Sequence, residues 1–492
     1  MPYQPTIGLE IHAELKTKTK MFCDSLNDPD EKHPNINICP VCLGHPGTLP
    51  VINKEAVKKV LKTGLALNGE IQDYSEFSRK NYFYPDLPKG YQISQYQHPL
   101  VKGGFWAIPL SDKKIRITRV HLEEDTGRLI HPAGADYTLV DFNRAGVPLM
   151  EMVTEPDISS AQEARLFAEE FQLLLRYLNV SDADMEKGQF RIEANVSLAS
   201  INSKHEARNS KLGTKAEIKN LNSFRAVERA IEYEIKRQSE VLTKGEKVIQ
   251  ETRGWDEVKQ KTVSQRFKEE SHDYRYFPEP DLPPIKPYEV EEFRPENLQK
   301  EIPELPWQKR ERFQKEYGVE KEALEIFINN KDLSDYFEKT LSELKTLTKG
   351  QEPGSLTKTL VNYLTADLQG LLKEKYASVG DLLIKPEDFA ELVALVAKNE
   401  ISSRVAKDIL RTMFEKGEDP HSIIKREGLE QVSETGELEN IVKKIIEENP
   451  KPAEDFKKGK EAALQFLVGQ VIKQTRGRAN PEIIQKIFKE NL

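Results

Sequence analysis

Thr6-Ile7-Gly8-Leu9-Glu10-Ile11-His12 reads as a strand with one polar face. Successive side chains on a strand point to opposite sides, so Glu10 and His12 share a face and Leu9 and Ile11 share the other. Similar short runs recur at Ile115-Arg116-Ile117-Thr118 and Phe190-Arg191-Ile192-Glu193, punctuated by Gly, Pro and Asn turns. Short strands with this punctuation favour an antiparallel α+β sheet over a doubly wound parallel one. Helices interrupt them. Asn53 caps a helix carrying Val57, Val60 and Leu61. Ser160-Ala161-Gln162-Glu163 has the form of a capping box, ahead of Leu166, Phe167, Leu174 and Leu178. A third helix carries Phe224, Val227, Ile231 and Ile235.

The pattern changes near residue 290. Four prolines between Pro278 and Pro284 exclude a helix interior and suggest an extended closing segment. Beyond it the spacing is helical throughout, with stripes at Phe389, Leu392, Val393 and Val396 and at Val405, Ile409 and Met413. Gly417 and Pro420 end the second of these helices.

The whole chain sets bounds on function. Its 492 residues are too many for one core. No apolar run approaches the ~20 residues that span a bilayer, and no basic, apolar leader opens the chain. A cytoplasmic protein without membrane contact is expected. Three cysteines exclude a disulfide framework. A net charge of −8 argues against non-specific wrapping of nucleic acid, so any such contact is local. The stretch from Lys451 to Leu492 carries nine Lys/Arg against five Asp/Glu, including Lys473, Arg476 and Arg478. No Walker A, Rossmann or Gly-x-Ser-x-Gly pattern occurs.

Three acidic stretches suggest one metal site: Glu10-Ile11-His12, His121-Leu122-Glu123-Glu124-Asp125, and Glu151. Carboxylates with an imidazole and no thiol suit a hard cation such as Mg²⁺, which commonly holds substrate phosphates. Alternation groups His121, Glu123 and Asp125 and sets Glu124 opposite, without saying which Glu binds metal. Cys23, Cys39 and Cys42 leave a tetrahedral zinc one ligand short, with Asp24, His33 or His45 as further donors. Arg79-Lys80-Asn81-Tyr82-Phe83-Tyr84 mixes cation, amide and aromatic groups suited to an anion or a polar tunnel.

These runs resemble the B subunits of aspartyl/glutamyl-tRNA amidotransferases, the GatB family. Further carriers are Gly90-Tyr91-Gln92-Ile93-Ser94-Gln95, Asn143-Arg144-Ala145-Gly146-Val147-Pro148-Leu149, Glu155-Pro156-Asp157, Glu217-Ile218-Lys219-Asn220-Leu221-Asn222 and Gly477-Arg478-Ala479-Asn480-Pro481. The resemblance implies an α+β cradle domain with a mostly antiparallel sheet (1–290), an all-α helical domain (291–405) and a YqeY-like, tRNA-binding tail (406–492). It implies a glutamine-hydrolysing ligase in which a separate glutaminase chain supplies ammonia and a small third chain completes a heterotrimer. Members of the family phosphorylate the side-chain carboxylate of Glu-tRNA(Gln) or Asp-tRNA(Asn) with ATP, and ammonia then attacks. Carried over by position, His12, Glu124 and Glu151 are Mg²⁺ ligands with Glu10 and Glu193 beside them, and Lys80 and Tyr82 stand at the tunnel mouth. Two departures are visible. Ser25 stands where zinc-containing members have a fourth Cys, which leaves a structural Zn²⁺ at Cys23, Cys39 and Cys42 incomplete. Glu193 stands where the family usually has Asp. Competing readings are a tRNA-binding scaffold without catalysis and a free-standing ATP-dependent carboxylate–amine ligase.

Overall fold

The computed structural model describes residues 3–28, 30–107, 113–200, 213–267, 274–349, 352–429, 435–475, 479 and 481–492. They form two compact units, Met1–Leu305 and Pro306–Leu492.

In the first unit, strands β1 (Tyr3–Glu14), β2 (Glu70–Ile71), β3 (Ser78–Asn81), β4 (Tyr91–Ser94), β5 (Val101–Lys102), β6 (Phe105–Ala107), β7 (Lys114–Glu124), β8 (Arg128–Ile130) and β9 (Leu139–Asp141) come first. Then follow β10 (Pro148–Thr154), β11 (Phe190–Ser200), β12 (Ala216–Leu221), β13 (Glu251–Asp256), β14 (Lys261–Phe267) and β15 (Phe277–Pro278). The main sheet runs β14-β13-β12-β11-β1-β10-β7-β5-β2, with β6 also on β7. Every pairing is antiparallel except β12 with β13. The expected α+β architecture is therefore present. A small sheet, β15-β3-β4, is built from the Arg79 and Phe277 segments.

Long central strands alternate cleanly. Ile7, Leu9, Ile11 and Ala13 of β1 are fully buried in a core with Phe167, Phe171 and Leu174 of α2 (Ala161–Tyr177) and Val227 and Ile231 of α3 (Phe224–Thr243). α1 (Lys54–Ala66) adds Val57, Val60 and Leu61 to that core. Helix starts follow the sequence. Asn53 Oδ1 accepts from Ala56 N at 3.1 Å, and Ser160 Oγ accepts from Glu163 N at 3.1 Å. Each cap of this kind is worth about 1 kcal/mol. The return arm of the expected box is displaced by one residue: Glu163 accepts from Ser159 N, and also binds Lys113. A nearby ammonium draws the carboxylate off the amide that the simple motif assigns to it.

The first compact unit extends beyond 290, to Leu305. Phe293, Leu298 and Leu305 belong to the first core, and Lys58 pairs with Glu301 at 2.6 Å. The second unit is helical, as expected. A division at 405 is not a structural break, because that residue sits inside the helix Ser403–Lys416. Gly417, at φ +67°, closes this helix in the left-handed region that glycine tolerates, and Pro420 opens the next. A distinct apolar cluster from Leu438 to Phe488 forms the core of the tail. Among the described residues, no helix is long and apolar enough to cross a membrane.

Candidate functional site

The polar face of the central strands lines a cavity of about 520 Å³, closed in part by residues of the small sheet. Register builds it. His12 is opposite Glu151, and Glu151 is opposite His121, so β1, β10 and β7 lay a row of three ionisable side chains across the sheet. Glu10 is opposite Glu193 on β11.

His12 Nε2 lies 3.2 Å from Glu151 Oε2 and 3.6 Å from Glu123 Oε1. These three side chains can place one ligand atom each within 4.8 Å of the others. Burial works against an imidazolium at His12. The hydrogen bond to Glu151 and the charges of Glu151, Glu123 and Glu193 outweigh it and raise the pKa to about 9. Burial, and then the charge of Glu151, raise the pKa of Glu123. Burial also opposes ionisation of Glu151, but His121, His12 and Arg119 hold it well below the ordinary range. Burial, with the charges of Arg119, His12 and Lys80, pushes His121 down to about 4 against the pull of Glu151. Its Nε2 is 3.5 Å from Glu151 Oε2, and its buried Nδ1 has no hydrogen-bond partner. Two carboxylates and an imidazole facing one point, with no thiol, match the donor set of a hard divalent cation.

Glu124 does not join them. Its carboxylate lies on the other side of β7, 2.5 and 2.6 Å from Lys89 Nζ, and accepts from Ile93 N at 2.9 Å. The placement of Glu124 among the metal ligands is therefore corrected: alternation along β7 gives Glu123 to the His12–Glu151 face.

Lys80 reaches the same cavity from β3. Its ammonium lies 4.9 Å from the ring centre of Tyr274 and 5.9 Å from that of Tyr82. Burial would deprotonate it, but Glu123, Tyr276, Tyr82 and Glu151 hold its pKa above the ordinary lysine value. Burial raises the phenol of Tyr82 and brings that of Tyr276 to about 12. Tyr276 stacks on Tyr96 at 4.5 Å.

Beside this cluster lies a second group, Glu10, Glu193 and Glu217. Lys219 Nζ is 2.9 Å from Glu193 and 4.0 Å from Glu217, and Asn195 Nδ2 donates to Glu10 Oε1 at 2.8 Å. The longer arm of Glu193 is thus used in an ion pair. Reading the sequence by motif missed Glu123, Arg119, Glu217 and Lys219 as site residues. Alternation along β7 from His121 would have found two of them, Arg119 and Glu123.

Cys23, Cys39 and Cys42 are also brought together, and Cys23 and Cys42 line a smaller cavity with Lys89 and Glu124. Among the described residues no fourth Cys, His, Asp or Glu joins them. Ser25 Oγ lies 4.0 Å from Cys42 Sγ, and the buried Lys20 ammonium lies 3.9 Å from it. Hydrogen bonding from Cys23, and then Lys20, pull the Cys42 thiol down to about 5 against the cost of burial. Three sulfurs with an ammonium beside them do not make a closed zinc site. In the tail, Lys473 is exposed on the helix Glu461–Gln474. Arg476 and Arg478 lie outside the described residues.

Comparison with known proteins accounts for this combination. Residues 5–291 match the GatB/GatE catalytic domain, and residues 335–492 match the GatB domain that includes YqeY. The chain belongs to the GatB family. It is 46% identical to the B subunit of the Persephonella marina aspartyl/glutamyl-tRNA(Asn/Gln) amidotransferase, over all of both chains. Identity to the Carboxydothermus hydrogenoformans relative of the same name is 46%, over all of this chain and 99% of that one. For the Thermotoga maritima relative it is 45%, again over all of this chain and 99% of the other. In this GatB chain the carboxylate cavity lies wholly inside the catalytic-domain match.

Proposed function

We propose that this chain is the carboxylate-activating component of a glutamine-hydrolysing aspartyl/glutamyl-tRNA(Asn/Gln) amidotransferase. In this reading it works with a glutaminase chain and a small third chain, as a heterotrimer. ATP phosphorylates the side-chain carboxylate of a misacylated Glu-tRNA(Gln) or Asp-tRNA(Asn), and ammonia displaces the phosphate. The observation that carries the reading is the convergence of His12, Glu123 and Glu151 in a polar cavity.

Mg²⁺ held by these three residues would neutralise charge on the phosphate oxygens. The protein's own groups do the rest. Lys80 presents an ammonium that no carboxylate oxygen approaches within 4 Å among the described residues, and it can clamp an incoming carboxylate or phosphate oxygen. Tyr82, Tyr274 and Tyr276 surround it, exclude water and so protect a reactive acyl phosphate. His121 stands behind Glu151, its Nε2 3.5 Å from Glu151 Oε2, and limits where that carboxylate can move. Glu10 and Glu193 complete the acidic wall. The tail, through Lys473, Arg476 and Arg478, would hold the tRNA.

The test is reconstitution with the glutaminase and small chains, following phosphate release from ATP with Glu-tRNA(Gln) and Asp-tRNA(Asn). Release should require misacylated tRNA and vanish in Glu123→Gln. Release that ignores the tRNA, or survives this substitution, would overturn the reading.

A further inference from the structure

Carboxylate activation gives no task to Cys23, Cys39, Cys42 or the buried Lys20. The two segments that carry them are firmly held. Lys20 N donates to Ser25 O at 2.9 Å, Met21 N to Gly146 O at 2.7 Å and Val51 N to Phe22 O at 3.0 Å. From Cys39 to His45 the chain makes tight turns, in which Leu43 N donates to Cys39 O at 3.1 Å and His45 N to Pro40 O at 2.9 Å. The three sulfurs lie within 4.8 Å of one another. The gap to the roughly 2 Å of a disulfide is within the reach of side-chain rotation.

The sulfurs are not equivalent. Cys42 Sγ accepts from Cys39 N at 3.1 Å, and Lys20 Nζ lies 3.9 Å from it. Lys20 is fully buried, and its ammonium also donates to Phe142 O at 3.3 Å. Among the described residues, no carboxylate oxygen lies within 4 Å of that ammonium. A buried ammonium is costly without an opposite charge, and the Cys42 sulfur is the group at hand to carry one. The thiolate, not the thiol, is the nucleophile, and a neighbouring cation favours it. Access is also unequal. Cys23 and Cys42 line the cavity of about 220 Å³, whereas Cys39 does not. The cavity's other charged groups are engaged elsewhere, Lys89 with Glu124 at 2.5 Å and Asp281 with Arg79 at 3.5 Å, and His45 also lines it. Its volume admits several waters, and so a small peroxide.

We propose that Cys42 and Cys23 form a reversible thiol–disulfide site that reacts with hydrogen peroxide, with Lys20 as the positioning cation behind Cys42. The Cys42 sulfur attacks one peroxide oxygen, the O–O bond breaks, and the leaving oxygen takes up a proton and departs as water. Cys42 is then a sulfenic acid. The Cys23 sulfur attacks the Cys42 sulfur, the S–O bond breaks, and the hydroxyl leaves as water with the Cys23 proton. Two thiols are oxidised to one disulfide and one peroxide is reduced to two waters. A small dithiol reverses the reaction by exchange. Disulfides of reducing compartments are mostly transient ones of this kind. The site stands apart from the carboxylate cavity and does not depend on the function proposed for it.

The experiment treats the reduced full chain with hydrogen peroxide, blocks remaining thiols with an alkylating reagent and maps the peptides by mass spectrometry. Metal content and circular dichroism are recorded in parallel. The variants are Cys39→Ser, Cys42→Ser and Lys20→Met. Wild type and Cys39→Ser should both give a Cys23–Cys42 disulfide that dithiothreitol reverses. Cys42→Ser should consume peroxide at least about tenfold more slowly than wild type. Lys20→Met should slow oxidation of Cys42 by roughly tenfold at neutral pH and move the rise of its rate to higher pH, because the thiolate loses its cation. If Lys20→Met does not fold, the mapping in Cys39→Ser and the rate in Cys42→Ser decide. A disulfide between Cys39 and Cys42, or peroxide consumption no faster than that of the urea-unfolded chain, overturns the site. Stoichiometric zinc in the purified chain, with thiols that peroxide leaves untouched, overturns it as well.

Discussion

Glu123 and Glu124 are neighbours on β7 and meet opposite electrostatic fates. On the Glu124 side, charge is matched: Lys89 binds both carboxylate oxygens, and a backbone amide adds a third contact. On the Glu123 side, charge is gathered: Glu123 lies with Glu151 around His12, and burial and Glu151 both push its proton affinity up. A fold optimised only for stability would not group buried carboxylates. Such grouping marks a place where binding of something else completes the balance. The matched side holds structure and the gathered side waits for a ligand.

Substitutions should separate the two sides, and the largest effect belongs to catalysis. Glu123→Gln should reduce tRNA-dependent ATP turnover by roughly 100-fold or more, while urea unfolding shows unchanged or slightly raised stability. Turnover within a few-fold of wild type would remove Glu123 from the site. On the matched side, Glu124→Ala leaves the partly buried Lys89 ammonium without its carboxylate and should cost about 1–3 kcal/mol in the same unfolding assay. A loss below about 1 kcal/mol would mean that Lys89 finds another partner. Lys80→Met should leave the fold intact and raise KM for the misacylated tRNA, because its ammonium faces the cavity beside Tyr82 and Tyr274 and is placed to meet an anion. Parallel kinetics with wild type would make it a structural cation. The smallest effect is expected at the thiols. Chelation should shift Tm by less than about 2 °C, since three sulfurs beside Lys20 lack a fourth ligand. Stoichiometric zinc in protein purified without added metal would contradict this.

Much of the fold was legible because the physics that fixes it is local. The alternation in Leu9-Glu10-Ile11-His12 set the faces of β1, and Asn53 and Ser160 marked helix starts that the structure keeps. What depends on distant partners was less legible. The first unit's limit at Leu305 comes from Phe293 and Leu298 packing on residues far away in sequence. The site shows the same division. Period two put His121, Glu123 and Asp125 on one face, and the structure lines the cavity with all three. Choosing Glu124 followed the family pattern by position instead, and a one-residue slip on a strand changes faces. Glu217 and Lys219 reach the cavity only through the β11–β12 pairing, which no local pattern encodes.

The most direct test replaces the cation by a visible one. Mn²⁺ is titrated into the full chain and followed by electron paramagnetic resonance, for wild type, Glu123→Gln and Glu124→Gln. Wild type and Glu124→Gln should bind the ion, and Glu123→Gln should lose it. Retention in Glu123→Gln together with loss in Glu124→Gln would contradict the assignment of the two faces.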